Sequence, residues 1–242
     1  MFFADFKLAI SDYSEGFKLL TKLRLWKFIF IPAVIALLVA IGIVWGSIEL
    51  APFIGGYIAD LWPFSFWENT IRSIADFMGG ALLVIFGIIV FRHVVMAFSG
   101  PFMSPISQKI EDHLRGRKTE SEIGFTTSLV RSIRINVRNL LVEILATVPF
   151  MLLGLVPVFN ILCTILIFFF GAYFAGFGNL DYTLERHYKY RDSVKWIQNH
   201  RGLATGNGTI FMLILLIPVV GILLVLPLSC AAATVSAVKK IK

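Results

Sequence analysis

Charge is what this chain lacks most. Charged residues make up 15% of its 242 positions, against about a quarter of a typical soluble domain. Hydrophobic residues make up 57%, with 23 phenylalanines and a mean hydropathy of +0.82. A soluble chain of this kind would expose much of its apolar surface and aggregate. Cysteine is scarce too: Cys163 and Cys230 both lie inside apolar runs, where they read as small buried hydrophobes, and no disulfide framework or metal spacing can be built from them. His93, His113, His187 and His200 are scattered, and each reads as interfacial. GxxxxGK[ST], HExxH and GxSxG are all absent, so the phosphate loop, the zinc-protease helix and the nucleophile elbow are excluded. No catalytic residue, cofactor or metal is expected. A cleaved signal peptide is not expected either, because the first apolar run is long, starts late and is followed by others.

What the chain has instead is long apolar runs flanked by cations. Phe28 to Gly46 carries no charge, and at about 1.5 Å per residue it approaches the roughly 30 Å hydrocarbon core of a bilayer. Lys18, Lys22, Arg24 and Lys27 precede it. A second span runs from about Met78 to Phe98, with Arg92 near its end, placed to snorkel toward water or to face a pathway. Pro101 and Pro105 are expected to kink or end that helix. Leu140–Gly178 and Thr209–Val238 are apolar apart from Glu143 and are interrupted at Pro157 and Pro218. The arms of the first run have about 16 to 18 residues each, short for a comfortable span. The two turns align weakly, Leu155-Val156-Pro157-Val158 with Leu216-Ile217-Pro218-Val219.

The charges set the orientation. Of the 22 Lys and Arg, only Arg72 lies in the aromatic-rich connection 47–77 and only Arg92 within the second run; the rest fall in 1–27, 99–139, 179–208 and 239–242. By the bias of cations toward the cytoplasm, every wet segment except 47–77 faces inward. The net charge of +7 therefore reads as a membrane face, and nucleic acid is not expected. The reading is an all-α integral membrane protein, one membrane domain over 1–242. It has two long transmembrane helices and two partly penetrating helical hairpins. An interfacial amphipathic helix covers 1–27, with an apolar stripe of Phe2, Phe6, Ile10, Phe17, Leu20 and Leu23. The first transmembrane helix and outer connection cover 28–60, and the second long helix 66–115. A hairpin follows over 125–187, a short cytoplasmic helix over 188–202, and the second hairpin over 203–238. Such hairpins must pack on other helices, and a homo-oligomer is expected. Arg131, Arg134 and Arg138 share one helix face, which reads as meeting lipid phosphates.

Two places could hold an anion. Lys22, Arg24 and Lys27 stand at the start of the first spanning helix, where unpaired N–H groups add to the side-chain charge. Arg201-Gly202-Leu203-Ala204-Thr205-Gly206-Asn207-Gly208 precedes the last apolar run, and its glycines would admit an oxyanion close to the backbone. The plain alternatives are topological anchors for the first and a turn for the second.

Four stretches resemble the CysZ sulfate-transporter family, whose eukaryotic relatives are the etoposide-induced membrane proteins. LRLWKFIFIP (23–32) is similar to the family's G-L-R-R-F-x-x-x-P junction, and GPFMSPISQKIED (100–112) to its P-F-x-x-P-L-x-x-x-V-E pattern. NLDYTLERHYKYRDSVKWIQNHRGLATGNG (179–208) resembles its L-D-Y-P-L-x-R segment and R-x-x-A-x-G-F-G. IPVVGILLVLPLSCAAAT (217–234) resembles its ending. The resemblance covers most of the chain. It implies sulfate uptake across the bacterial inner membrane for cysteine synthesis, by an oligomer, with both termini cytoplasmic in the orientation read above. Its sulfate site falls on Arg24, Leu25, Trp26 and Lys27. Leu25 matches and Lys27 keeps a cation, while Trp26 stands in place of the first arginine and Arg24 in place of glycine. Arg201, Gly202 and Thr205 are the second expected anion contact. Two other readings stand beside transport: a membrane scaffold of the same fold that has lost the site, and a lipid-modifying enzyme, which would need a convergent acid/base pair where Asp181, Glu185 and Arg186 read instead as an interfacial ion-pair cluster.

Overall fold

A computed structural model of the chain describes residues 1–60, 68–118, 123–154, 156–217 and 220–241. The protein is an all-α membrane protein. Its helices are α1 (Phe2–Lys22), α2 (Phe30–Ala59), α3 (Glu68–Arg115), α4 (Phe125–Gly154), α5 (Pro157–Leu184), α6 (Tyr190–Asn199), α7 (Arg201–Leu215) and α8 (Val220–Lys240), with a 3-10 turn at Leu25–Ile29 between α1 and α2. Among the described residues, four stretches are long and apolar enough to cross a membrane: Leu25–Tyr57, Ile89–Arg115, Phe125–Gly154 and Val158–Leu184. Only 11% of the most apolar window of the first is buried, so Leu37, Leu38, Ile41 and Val44 point outward. A helix apolar on its exposed face is stable only where lipid replaces water.

The chain divides into two compact units, Ala36–Arg92 and the remainder, Met1–Ile35 with His93–Lys242. Within the smaller unit α2 and α3 meet antiparallel at small residues. A Cβ on Gly79 would lie 2.9 Å from the Gly55 nitrogen and 3.0 Å from the Ala51 oxygen, and one on Gly87 would strike Ile43. Close backbone approach of this kind replaces the hydrophobic effect, which does not drive helices together in lipid. Most of the connection expected at 47–77 is therefore helical. Trp62, Phe64, Phe66 and Trp67 lie outside the described residues.

The larger unit uses the same device three times. A Cβ on Gly16 of α1 would lie 2.7 Å from the Ala232 nitrogen of α8. A Cβ on Gly206 of α7 would lie 2.6 Å from the Phe6 carbonyl oxygen of α1, and Gly176 and Gly208 bring α5 and α7 together at Ala204 and Ala172. Around these contacts Phe177, Leu180, Leu184, Ile197 and Leu203 form the core.

Four expectations are corrected. α1 buries Asp5, Ala9, Asp12, Tyr13, Gly16, Leu19 and Leu20, so its inward face mixes acidic, small and large residues, and of the expected apolar stripe only Leu20 is fully buried while Phe2 and Phe17 are exposed. Its small residues allow the α8 and α7 backbones close; the phenylalanines are left outside. α3 continues through Pro101 and Pro105 to Arg115. Carbonyls beside the prolines accept from other helices: Met96 from the Tyr182 hydroxyl (2.7 Å) and Ser104 from Arg186 (3.4 Å). The arms of the first hairpin are 30 and 28 residues, because the helices run on through charged residues that a count of apolar positions leaves out. Arg92 is 5% exposed and His93 2%, so neither is an interfacial residue on the surface of this chain. The alignment of the two hairpin turns rests partly on Leu155, Pro218 and Val219, which lie outside the described residues.

Candidate anion-binding site

The sequence from Leu23 to Ile29 breaks the run of α-helix. Arg24 takes a left-handed conformation, φ 54° and ψ 41°, the one positive φ at a non-glycine among the described residues. That conformation costs about 1–2 kcal/mol outside glycine. It lets the chain reverse, so that Leu25 plugs into the larger unit (1% exposed) while Arg24 and Lys27 stay exposed. The expected first turn of a long α-helix is thus a 3-10 turn, which also leaves its first N–H groups without partners inside the helix. Trp26 packs edge-on against Phe17, and its indole N–H donates to the Thr21 hydroxyl at 3.1 Å.

The α3 end completes the cluster. Lys27 Nζ lies 5.5 Å from the centre of the Phe28 ring, and Lys109 Nζ lies 4.8 Å from the same centre. Lys22 Nζ is 3.2 Å from His113 Nε2. Lys22, Arg24, Lys27 and Lys109 are all exposed. Lys27 and Lys109 thus share the Phe28 ring, and both keep their charge in water. Sequence reading missed Lys109, although it lies in the 100–112 stretch that carries the family resemblance; its helix brings it back over the turn.

The second segment is differently placed. Gly202 and Gly206 face the α1 backbone at Phe2 and Phe6. The Thr205 hydroxyl donates to the Arg201 carbonyl (2.9 Å). Arg201 is exposed and donates through Nε to the Gln198 carbonyl (3.0 Å). Of Arg201, Gly202 and Thr205, only the arginine presents free donors outward. No contact among the described residues brings the two segments together.

A buried ionic network, not foreseen as such, holds the larger unit. Glu111 is fully buried and accepts from Arg115 Nε (2.8 Å), Arg186 Nε and Nη2 (3.1 and 3.0 Å), and lies 2.6 Å from His187 Nε2. Asp181 accepts from Arg131 at 2.9 and 2.8 Å and from Ser193. Glu185 accepts from Ser128 (3.3 Å), and burial pushes its carboxyl up to about 7, with neighbouring Asp181 adding to the rise. Asp181 and Glu185 therefore tie to α4, and Arg186 to α3, as structural partners of those helices. Arg131 is an internal partner of Asp181, and Arg134 lies over Tyr190 at 4.0 Å, so the arginine face of α4 is in part turned onto protein. On the buried side of α4, Ser128, Ser132, Asn136, Asn139, Glu143 and Thr147 form a polar stripe. Glu143 Oε2 lies 2.8 Å from His93 Nε2, and Asn136 Oδ1, Asn139 Nδ2 and Thr147 Oγ1 are buried with no hydrogen-bond partner among the described residues. The signal was legible as polar residues recurring every three to four positions.

Residues 13–225 match the family described as sulfate transporter CysZ/etoposide-induced protein 2.4. No curated protein matches the chain. The match spans most of the sequence, and the chain belongs to this family, a multi-pass membrane protein of sulfate-transporter type.

Proposed function

We propose that this member of the CysZ/etoposide-induced family passes sulfate or a related oxyanion across the bacterial inner membrane and supplies it for cysteine synthesis. The observation that carries the reading is the exposed cation cluster at the α1–α2 turn. Arg24, Leu25, Trp26 and Lys27 form the site: Arg24 and Lys27 draw the anion, Leu25 anchors the turn, and Lys109 from α3 adds the third cation. Lysine is a point charge where a guanidinium would hold sulfate by two parallel bonds, so capture here is weaker and release easier. Arg201, with Gly202 and Thr205 behind it, is a second anion contact outside this cluster. The polar stripe on α4 supports passage of a hydrated cargo, because unpartnered polar atoms inside a span are costly unless water or cargo meets them. The termini are cytoplasmic, and the working unit is a homo-oligomer whose hairpins pack on other copies.

One observation favours the scaffold reading: Trp26 spends its N–H on Thr21, so that position offers an anion nothing. Uptake of radiolabelled sulfate into liposomes holding the purified protein decides between the two. Uptake above protein-free liposomes is expected; no uptake of sulfate, sulfite or thiosulfate by folded protein would establish the scaffold reading.

A further inference from the structure

A groove of about 580 Å³ runs between α1, α5 and α7, within the size range of ligand sites. Its walls are Phe2 and Phe6 from α1 and Phe169, Phe170 and Tyr173 from α5. Phe2 is 44% and Phe169 41% exposed, so these rings cover one another only in part. Phe2 stacks on Phe6 with centroids 6.2 Å apart. The α5 wall lies within the Val158–Leu184 span, at hydrocarbon depth. Arg201 is the one charged residue in the lining. Its Nε is bonded to the Gln198 carbonyl, which fixes the guanidinium at the rim and leaves both Nη groups available. The groove is thus apolar along its length and carries a single cation at one end.

We infer that this groove holds one acyl chain of an anionic phospholipid, with the phosphate on Arg201. A free oxyanion would use only the rim and gain nothing from the phenylalanines. A lipid uses both, since the guanidinium suits phosphate geometry and the acyl chain makes van der Waals contact with the phenylalanine walls. The inference does not depend on transport: it assigns the Arg201 contact to a lipid phosphate, and a scaffold would bind the lipid equally.

The test is lipid retention by the full-length protein in phosphatidylcholine nanodiscs titrated with phosphatidylglycerol, read by native mass spectrometry after mild extraction. Wild type is expected to retain one phosphatidylglycerol in preference to phosphatidylcholine. Arg201→Gln should lower that preference about tenfold, the effect of one charge-assisted contact, and Arg201→Lys should restore most of it. Leu166→Trp, which fills the groove, should abolish retention of both lipids, and Phe6→Trp serves if that variant does not fold. An unchanged preference in Arg201→Gln, displacement of the lipid by millimolar sulfate, or disulfide crosslinking of two copies through Phe169→Cys would each overturn the inference, the last in favour of a second copy in the groove.

Discussion

Arg186 should be among the most costly residues to replace, and the structure sets how costly. Its side chain is 1% exposed and that of Glu111 is 0% exposed. Arg186→Met keeps the volume but removes two bonds to Glu111 and the donors to Ser107 and to the carbonyls of Tyr182 and Ser104. Breaking a buried pair from one side costs about 3–5 kcal/mol, because the remaining charge stays buried. Arg115 and His187 still face Glu111, so the lower end of that range is expected. At about 2–4 °C per kcal/mol for a chain of this size, the midpoint should fall roughly 6–12 °C for a 3 kcal/mol loss. The assay is thermal unfolding of the detergent-purified protein, followed by retention of the monodisperse peak at fixed heating rate. The double variant Glu111→Leu/Arg186→Met should lose less than the two single variants added together, because the orphaned carboxylate is gone. A fall below 2 °C for Arg186→Met, or a double variant as poor as the sum, would refute the view of this network as a mutually dependent buried unit.

Glu185 gives a pH signature. Its carboxyl is raised from 4.5 to about 7 by burial, so the fold favours the protonated form; its contribution is complete below pH 4.5 and is lost as pH rises through 7. Melting temperature should therefore fall by several degrees between pH 5 and pH 8, and Glu185→Gln should flatten that slope and be the more stable protein at pH 8. Gly16→Ala should destabilise by about 1–3 kcal/mol through overpacking against α8, while Gly42→Ala, with open space around it, should be close to neutral or slightly stabilising in the same unfolding assay. Reporter fusions at residue 60 should be periplasmic and those at 118, 190 and 242 cytoplasmic; a strongly mixed pattern would break the orientation read from the charge bias.

The helical membrane character was legible because it depends on bulk properties: a charge-free run from Phe28 to Gly46 and cations on one side of the apolar runs. The residues of α1 were harder to read. Apolar periodicity selected Phe2, Phe6 and Phe17 as the packing stripe, yet in a protein with no water to escape, the packing face belongs to whichever residues admit a neighbouring backbone, here Ala9, Gly16 and the ion-paired Asp12. The apolar count of the first hairpin's arms fell short for a related reason: Arg131 lies outside such a count, but a helix does not stop where its charge begins if Asp181 waits for the arginine. Of the candidate site, Arg24 and Lys27 could be read from the sequence, and Lys109 could not be joined to them without the fold, since proximity across 80 positions is a tertiary property.

The most direct test of the anion path is sulfate uptake by wild type beside Arg24→Ala/Lys27→Ala, both in liposomes and both shown to be folded and of the same oligomeric size. The account predicts uptake by wild type and loss of most of it in the double variant, with Lys109→Ala intermediate. Equal uptake by wild type and double variant would contradict the placement of the anion at the first helix start.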